Sequence, residues 1–542
     1  MQTDKIIGLL LKNRGLTSPE AVEGFFHPPH PKDLSLKSSG LSASRVTSAV
    51  RLIRSHIQQN HPIAVYGDYD VDGICATAVI WETLHAHSPH VFPHIPHRKD
   101  EGYGLTQKGI DHCLSQGAKL IITVDNGIVA HEQIEYCRSR GCDVIVIDHH
   151  EPVDTLPKAN VLLHSTATTA TGLSWFFSRE FQNSDQRPTN NDQLSLVSLA
   201  TICDIVPLMG LNRSLAKFGL IELNQTRRPG LLALFRESGL TATNDQRATI
   251  NSYHVGFIIG PRLNAMGRLE HALDSLRLLC TTDPDRAAKL AVALNDTNRS
   301  RQDLTVSAFT HAQTLVDENN LPSLIIVADT SYDQGIIGLI AARLVEKYHR
   351  PAIAVSIGEA ESKASARSVA GFNITDHIRT AGDLLTSVGG HAMAAGFSFS
   401  NAHLEQVISA LSHPEIDPDL FVKSRRIDVE VPLSAINLDL YLRLLDFEPY
   451  GLGNPQPVFS TSNIQITNIR YVGRDNQHLK FKVDGLDAIY FNAPSAMNDE
   501  LIINNPVNLV YRISLDTFNR QSHIQLVVQD IIPVSSPAIS PS

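Results

Sequence analysis

Short apolar runs that end in acids or histidines recur in the first third of the chain, with amphipathic stretches between them. PIAVYGD (62–68) reads as a strand and GICATAVIWETLHAH (73–87) as the helix after it. KLIITVDNG (119–127) and AHEQIEYCRSRG (130–141) repeat the pair, and DVIVIDHH (143–150) is a third strand. Runs of β-branched residues without polar alternation suit strands buried on both faces. Their β-α-β order places them in a parallel sheet.

The pattern changes on either side. Residues 1–60 read as helical with polar faces, and the Ser-Pro of SPEAVEGFF (18–26) is a helix start. Residues 165–280 read as mainly helical, with polar breaks near 181–193 and 225–247. From 284 to 319 a helical pattern runs without glycine or internal proline, which suits a rigid connector. A second α/β unit follows over 322–412, with strands at SLIIVA and AIAVSI. Five short β-like runs between NIQITNIRYVG and SHIQLVVQDII predict a small barrel, an OB-fold being the nearest type. The Pro/Ser-rich end, PVSSPAISPS, reads as disordered.

The expected organisation is therefore α/β: an N-terminal helical segment (1–60), a parallel-sheet domain (61–282), a connector helix (283–320), a second α/β domain (321–415), an OB-like β-barrel with its preceding linker (416–535) and a disordered tail (536–542). A length of 542 residues fits that number of units.

Composition changes this picture little. Hydrophobic residues are 42% and charged residues 19%, as in ordinary globular proteins. The net charge of −10 gives no bulk attraction for nucleic acid, so any phosphate-binding surface has to be a local basic groove. The six cysteines form no C-x-x-C pair and no zinc spacing, and read as reduced thiols of a cytoplasmic protein. No uncharged apolar run reaches the length of about 18 residues that a membrane helix needs.

Chemistry concentrates at the strand ends. Asp68, Asp70 and Asp72 occupy every second position of GDYDVDG; Asp125 follows LIITV; Asp148, His149 and His150 follow VIVI; Asp204 ends the apolar run SLATIC. In open α/β sheets ligands sit outside the carboxyl ends of strands, so these segments should converge. Like charges crowded there repel and resist burial unless a cation joins them. Carboxylates with one or two imidazoles suit Mn²⁺ or Mg²⁺, and no cysteine at an equivalent strand end favours zinc. Two such ions about 3.5–4 Å apart form the arrangement that hydrolyses phosphoesters. A single Asp after a strand is more often a helix cap, and a single buried His a core group. Three acidic strand ends with an imidazole pair outweigh that simpler account.

In this order GDYDVDG, VDNG, DHHEP and ATICDIVPLMGLNR resemble the four motifs of the DHH phosphoesterase superfamily. GPRLNAMGRL (260–269), SARS (365–368) and GGHAMAAG (389–396) narrow the resemblance to its single-strand-specific 5′→3′ DNA exonucleases, over about 60–535. The resemblance implies a DHH domain at 61–282 and a DHHA1-like domain at 321–415. It also implies hydrolysis of single-stranded DNA to 5′-mononucleotides in repair and recombination, with two divalent cations, Mn²⁺ or Mg²⁺. It makes Asp70, Asp72, Asp125, His149 and Asp204 metal ligands, with Asp125 bridging. Asp68 becomes a further ligand or a neighbour of the ions, His150 a supporting or phosphate-contacting group, and Asp148 the acid that orients an imidazole. Asp125, His149, His150 and Asp68 thus form the catalytic set. The family's histidine before the first acids is Tyr66 here, which removes one ligand.

By the same resemblance Arg98, beside Lys99, joins Ser365 and Arg367 on the 5′-terminal phosphate, while Arg262, Asn264 and Arg268 contact the nucleic-acid backbone. His391 lies in a Gly-rich turn read as opening an Ala-rich helix, whose free N–H groups suit phosphate. Tyr332-Asp333 stands where the family has Trp-His. In the barrel, Arg470, Tyr471, Arg474, His478, Lys480, Phe481 and Lys482 interleave cations with aromatics, as single-strand binding needs, although alternating strand faces give the same spacing. The implied partners are single-stranded DNA with a 5′ end, a helicase and a single-strand-binding protein; the chain is expected to be a monomer without membrane contact. The competing readings are a smaller-substrate DHH phosphatase, acting on nano-RNA or bisphosphonucleotides, and a non-catalytic replication scaffold. Length and the GPRLNAMGR block disfavour the first, and the complete acid set disfavours the second.

Overall fold

The computed structural model describes residues 2–98, 100–153, 155–183, 192–240, 249–474, 476–493, 505–516 and 523–534. The tail expected to be disordered, Lys99 and most of the break at 181–193 lie outside them. Among the described residues no helix is long and apolar enough to cross a membrane.

The first sheet holds β1 (Ile63–Tyr66), β2 (Val91–His94), β3 (Leu120–Val124), β4 (Asp143–Asp148) and β5 (Val161–His164) in the order β2-β1-β3-β4-β5. All neighbours are parallel. β1 and β3 are buried at every position, which is why their sequences lack polar alternation. β2 and β5 flank the three strands read from the sequence. One apolar core lies on each face of the sheet, and the larger packs the helices Val71–His85, Ala170–Asn183 and Gln193–Cys203 against it. The chain leaves β1 toward β2 and returns on its other side as β3. The crevice between β1 and β3 is thus the topological switch point, where such sheets hold ligands.

The connector is the helix Pro284–Thr314, capped by Asp283, whose side chain accepts the Asp285 and Arg286 N–H groups. Its Ala287, Ala291 and Leu294 belong to the first core, and its Ala308 and Ala312 to a second one. Both ends are embedded, so the helix acts as a fixed strut.

The second sheet contains β6 (Ile325–Asp329), β7 (Ala352–Ser356), β8 (Glu361–Arg367), β9 (Ser387–His391) and β10 (Ala394–Ser400), in the order β6-β7-β8-β10-β9. β6 and β7 are parallel and the other pairs antiparallel. Here one expectation fails. GGHAMAAG opens no helix; it is the turn of the β9–β10 hairpin. Gly390 has φ 147, and a side chain there would strike the Ala394 carbonyl and Ala395 backbone. Cross-strand packing, served by small residues, overrides the helix propensity of alanine.

The third sheet runs β11-β12-β16-β17-β15-β14-β13. β13 (Ile466–Val472), β14 (His478–Val483), β15 (Leu486–Tyr490), β16 (Val507–Asp516) and β17 (His523–Pro533) are the five strands read from the sequence; β11 (Val429–Glu430) and β12 (Phe459–Ile464) extend one edge. β14 alternates strictly, and its Phe481 is a core residue, not a stacking platform. Lys480 and Lys482 face outward and pair with Asp516 and Asp487 at 3.6 and 3.7 Å.

The helices Thr3–Asn13 and Pro19–Phe26 form as the sequence predicts, the second capped by Ser18, whose Oγ accepts the Ala21 N–H at 3.2 Å. Their apolar faces do not pack on the first sheet, however. Ile6, Leu10 and Phe25 enter the core of the third sheet with Leu440, Phe447 and Phe459. Arg213, the last residue of ATICDIVPLMGLNR, is fully buried at this junction. Its guanidinium donates to the carbonyls of Phe25, Phe447, Asp446 and Glu448.

Candidate active site

Beyond β1 the chain turns sharply into the next helix. Asp70 caps that helix, accepting the Gly73 N–H at 3.0 Å. Gly73 is required, because any side chain there would enter the Asp68 backbone. Asp72 lies in the first turn, and both of its oxygens accept N–H groups from the start of the helix Ala170–Asn183: Ala170 at 2.8 Å and Thr171 at 2.9 Å. A helix N-terminus therefore fixes the buried carboxylate. Asp125 follows β3 with φ 63, a left-handed conformation uncommon outside glycine.

These groups converge as the strand ends predict. His149 Nε2 lies 3.2 Å from Asp125 Oδ1 and 3.6 Å from both Asp72 Oδ2 and Asp204 Oδ2. His150 Nδ1 lies 3.9 Å from Asp125 Oδ1. Three sets could each hold a metal ion: Asp68, Asp70 and Asp125; Asp125, His149 and His150; and Asp72, His149 and Asp204. Asp125 belongs to two of them, as does His149. Tyr66 does not replace the missing histidine: its ring enters the opposite face of the sheet, and its hydroxyl donates to the Gly104 carbonyl.

The donor set fits divalent cations. Asp68 Oδ1, Asp125 Oδ1 and His149 Nε2 are buried and make no hydrogen bond among the described residues. Burial, then the charge of Asp70, pushes Asp68 up to about 8. Burial with Asp72 and Asp70 pushes Asp204 up to about 8; burial with Asp72 raises Asp70, and burial with Asp72 and Asp70 raises Asp125. Carboxyls that resist ionisation so strongly lack a counter-charge, and a dication supplies one. Asp148 behaves differently. Burial would raise it, but the imidazole of His150 at 2.8 Å and the Ile128 and His150 N–H groups hold it below the usual range. His150 is correspondingly raised to about 9; burial opposes the shift and the Asp148 bond outweighs it.

A basic group adjoins the acids. Arg98 stacks over the Tyr69 ring at 5.1 Å, between Asp68 and Asp70 in sequence. Arg268 comes in on the helix Gly260–Leu269, where Gly267 lets the backbone press against the Tyr69 carbonyl. Burial and the charges of Arg98, Arg301 and Arg367 lower Arg268 to about 10. Arg367 and Ser365 share one face of β8, with Nη1 donating to Oγ at 3.2 Å. His391 is level with Arg367 across β10, both paired with Ala394, about 10 Å away by strand spacing. Arg262 points elsewhere: it donates to Asn295 Oδ1 and the Ile258 carbonyl. Asn264 lines a groove beyond Asp204. Tyr332, at the departure from Trp-His, is a core residue that meets His311 Nδ1 at 3.0 Å. Sequence reasoning left Tyr69 and Arg301 unassigned. Tyr69 stood inside a quoted motif, whereas Arg301 is one of several polar residues on a long helix.

Residues 62–201 match the DHH family N-terminal domain, 321–413 the DHHA1 domain and 427–530 the RecJ OB domain. The chain is 30% identical to the single-stranded-DNA-specific exonuclease RecJ of Bacillus subtilis, spanning 97% of this chain and 67% of that protein. It is also 30% identical to the Escherichia coli protein of the same name, over 91% of each. RecJ from Thermus thermophilus in complex with Mn²⁺ superposes with a TM-score of 0.81 at 27% identity, covering 97% of this chain and 76% of that one. The same protein in complex with Mg²⁺ gives 0.75 at 26% identity, covering 97% and 74%. With its three domain matches and 30% identity to two relatives of which it spans 67% and 91%, the chain belongs to the RecJ family of the DHH superfamily.

Proposed function

We propose that the protein is a metal-dependent exonuclease that degrades single-stranded DNA from the 5′ end to 5′-mononucleotides, in repair and recombination. The observation that carries this reading is the meeting, at one switch point, of a carboxylate–imidazole cluster with a half-buried arginine group. One half suits dications and the other a terminal phosphate dianion. Asp70, Asp72, Asp125, His149 and Asp204 would hold two divalent cations, with Asp68 beside them. Bound there, such cations supply Lewis acidity, which acidifies water and draws charge from a phosphodiester.

The chain's own groups do the rest. Asp72 is immobilised by two N–H groups and presents a fixed charge. Asp148 holds His150 protonated at Nδ1 and leaves Nε2 free to donate to a phosphate oxygen. The guanidinium forks of Arg98, Arg268 and Arg367, with the Ser365 hydroxyl, bind the 5′-phosphate and set the distance to the next phosphodiester. His391 extends that surface, while Arg262 and Asn264 contact the strand further along.

The first sheet with its helices (61–282) carries the catalysis, the strut (283–320) fixes the second α/β unit (321–415) opposite, and the C-terminal unit (416–535) holds the trailing strand. The protein works as a cytoplasmic monomer on strands supplied by a helicase and covered by single-strand-binding protein. The test is degradation of 5′-labelled single- and double-stranded DNA with Mn²⁺, with Mg²⁺ and with chelator. Release of labelled mononucleotide from the single strand alone, only with metal, is expected; labelled product from the duplex at an equal rate would refute it.

A further inference from the structure

Tyr66, standing where a metal-ligating histidine was expected, and the histidine-rich run HSPHVFPHIPH (87–97) supply no ligand to the three candidate metal sets. They meet instead at the loop that carries Arg98. We propose that Glu101 is a positioning residue for the 5′-end grip: clamped between His94 and the His97 N–H, it holds the turn from which Arg98 reaches the terminal phosphate. The proposal rests on the nuclease reading above and on its placement of Arg98.

Glu101 closes the loop at three points. Its Oε1 accepts the His97 N–H at 3.0 Å. Its Oε2 accepts from His94 Nε2 at 2.9 Å. Its own N–H donates to the His97 carbonyl at 2.8 Å, and the Asp100 and Gly102 N–H groups converge on the same oxygen. Arg98 is the second residue of the turn so formed. His94 is itself anchored. It ends β2, and its ring lies against those of Tyr66 and His112, with both centroids 4.9 Å away. The Tyr66 hydroxyl fastens the far end of the loop through the Gly104 carbonyl. Tyr66 therefore serves the loop rather than the ions.

The clamp is a costly way to gain stability and a good way to fix a position. The Glu101 and His94 side chains are only 16% and 10% exposed. Burial would raise the Glu101 carboxyl, but the His94 hydrogen bond and the His97 N–H outweigh it and hold the group below the usual range. A buried polar pair adds little that apolar packing would not, whereas its directed bonds admit few arrangements. What it fixes is a cation among cations. Arg98 stacks on Tyr69 and, after burial, its charge is what most lowers Arg268 and Arg367. The turn has to hold Arg98 against that repulsion until a phosphate dianion relieves it. It also abuts the second arm of the grip: the His97 ring faces that of His271, three residues beyond Arg268, with centroids 5.6 Å apart.

The experiment uses the full chain with Mn²⁺ and two single-stranded oligonucleotides that differ only in carrying a 5′-phosphate or a 5′-hydroxyl. Glu101→Ala should raise KM for the phosphorylated strand about tenfold, the scale of one hydrogen bond to a charged group. Its kcat at saturation and its KM for the hydroxyl strand should change by less than about twofold. Glu101→Gln, which keeps an acceptor for the His97 N–H, should recover most of the loss. In an Arg98→Ala background Glu101→Ala should add nothing, because no cation is left to place. Three results overturn the proposal: an unchanged KM in Glu101→Ala, an equal loss on both strands, or a loss that adds in full to that of Arg98→Ala. Where Glu101→Ala does not fold, Glu101→Gln alone and with Arg98→Ala makes the same comparison, and a rise confined to the phosphorylated strand is again required. If Arg98→Ala itself keeps the 5′-phosphate preference, the placement of Arg98 falls and takes the proposal with it. That outcome is distinct from an indifferent Glu101→Ala in an enzyme that does depend on Arg98.

Discussion

The acidic and basic halves of the candidate site are opposites in more than sign. The acids come from consecutive strand ends of one sheet and from the helix that ends at Cys203, so a single domain assembles them. The arginines come from the loop after β2, from a helix beyond the sheet and from β8 of the second sheet, and they meet only when the strut has set two domains face to face. Both halves bury like charges: burial first, then repulsion between neighbours, shifts the carboxyls up and a guanidinium down. A dication would relieve one half and, on the reading proposed above, a phosphate dianion the other. The acidic half is assembled within one domain, whereas the basic half forms only across two.

The sharpest break in that comparison is Asp125→Ala. Because Asp125 serves two of the three candidate metal sets, kcat should fall at least about a thousandfold, by the scale of losing a principal electrostatic group. Thermal melting without metal should not fall, since a buried carboxyl disfavoured by its burial and its acidic neighbours is gone. Retained turnover would end the two-ion account. Next, Arg367→Ala should leave metal binding intact while cutting the preference for a 5′-phosphate over a 5′-hydroxyl end by roughly 10–100-fold in kcat/KM, the worth of a charge-assisted hydrogen bond or two. An unchanged preference would remove the arginines from the 5′ end.

A third test separates the halves thermodynamically. Mn²⁺ at about 100 times its Kd should stabilise wild type by roughly 2.7 kcal/mol, and Asp125→Ala by much less, in thermal melts. The fourth uses pH. Folded Asp68 and Asp204 hold their protons to about 8, whereas in the unfolded chain they release them near the ordinary carboxylate value. The folded state binds more protons in between, so metal-free protein should lose stability as pH rises from about 4 to 8. Melting in chelator across that range checks the sign, and saturating Mn²⁺ should flatten the slope. Smallest of all, Lys482→Ala should alter stability by less than about 0.5 kcal/mol, because its 3.7 Å pair with Asp487 is only half-buried at the surface.

How much was legible follows from the same contrast. Asp68, Asp70, Asp72, Asp125 and His149 were readable because each ends an apolar run, and a run buried on both faces has one obvious mouth. Arg268 and Arg367 carried no such signal; an arginine beside glycine or serine looks like surface, and only the ordered motifs raised them. The Gly-rich turn at His391 reads as opening a helix because Gly-Ala-rich segments give no periodicity, and strand pairing with β8 decides their form. Phe481 was misjudged for a related reason: alternation fixes two faces but not which one is wet.

The union of the helices Thr3–Asn13 and Pro19–Phe26 with the last sheet has a consequence for synthesis. Residues 3–26 leave the ribosome long before Phe447, Phe459 and the strands after them exist. Throughout that interval Ile6, Leu10 and Phe25 are greasy and homeless, and Arg213 lacks three of the four carbonyls it grasps. An interrupted translation product therefore displays a hydrophobic flag, which chaperones and proteases can read as a sign of unfinished work.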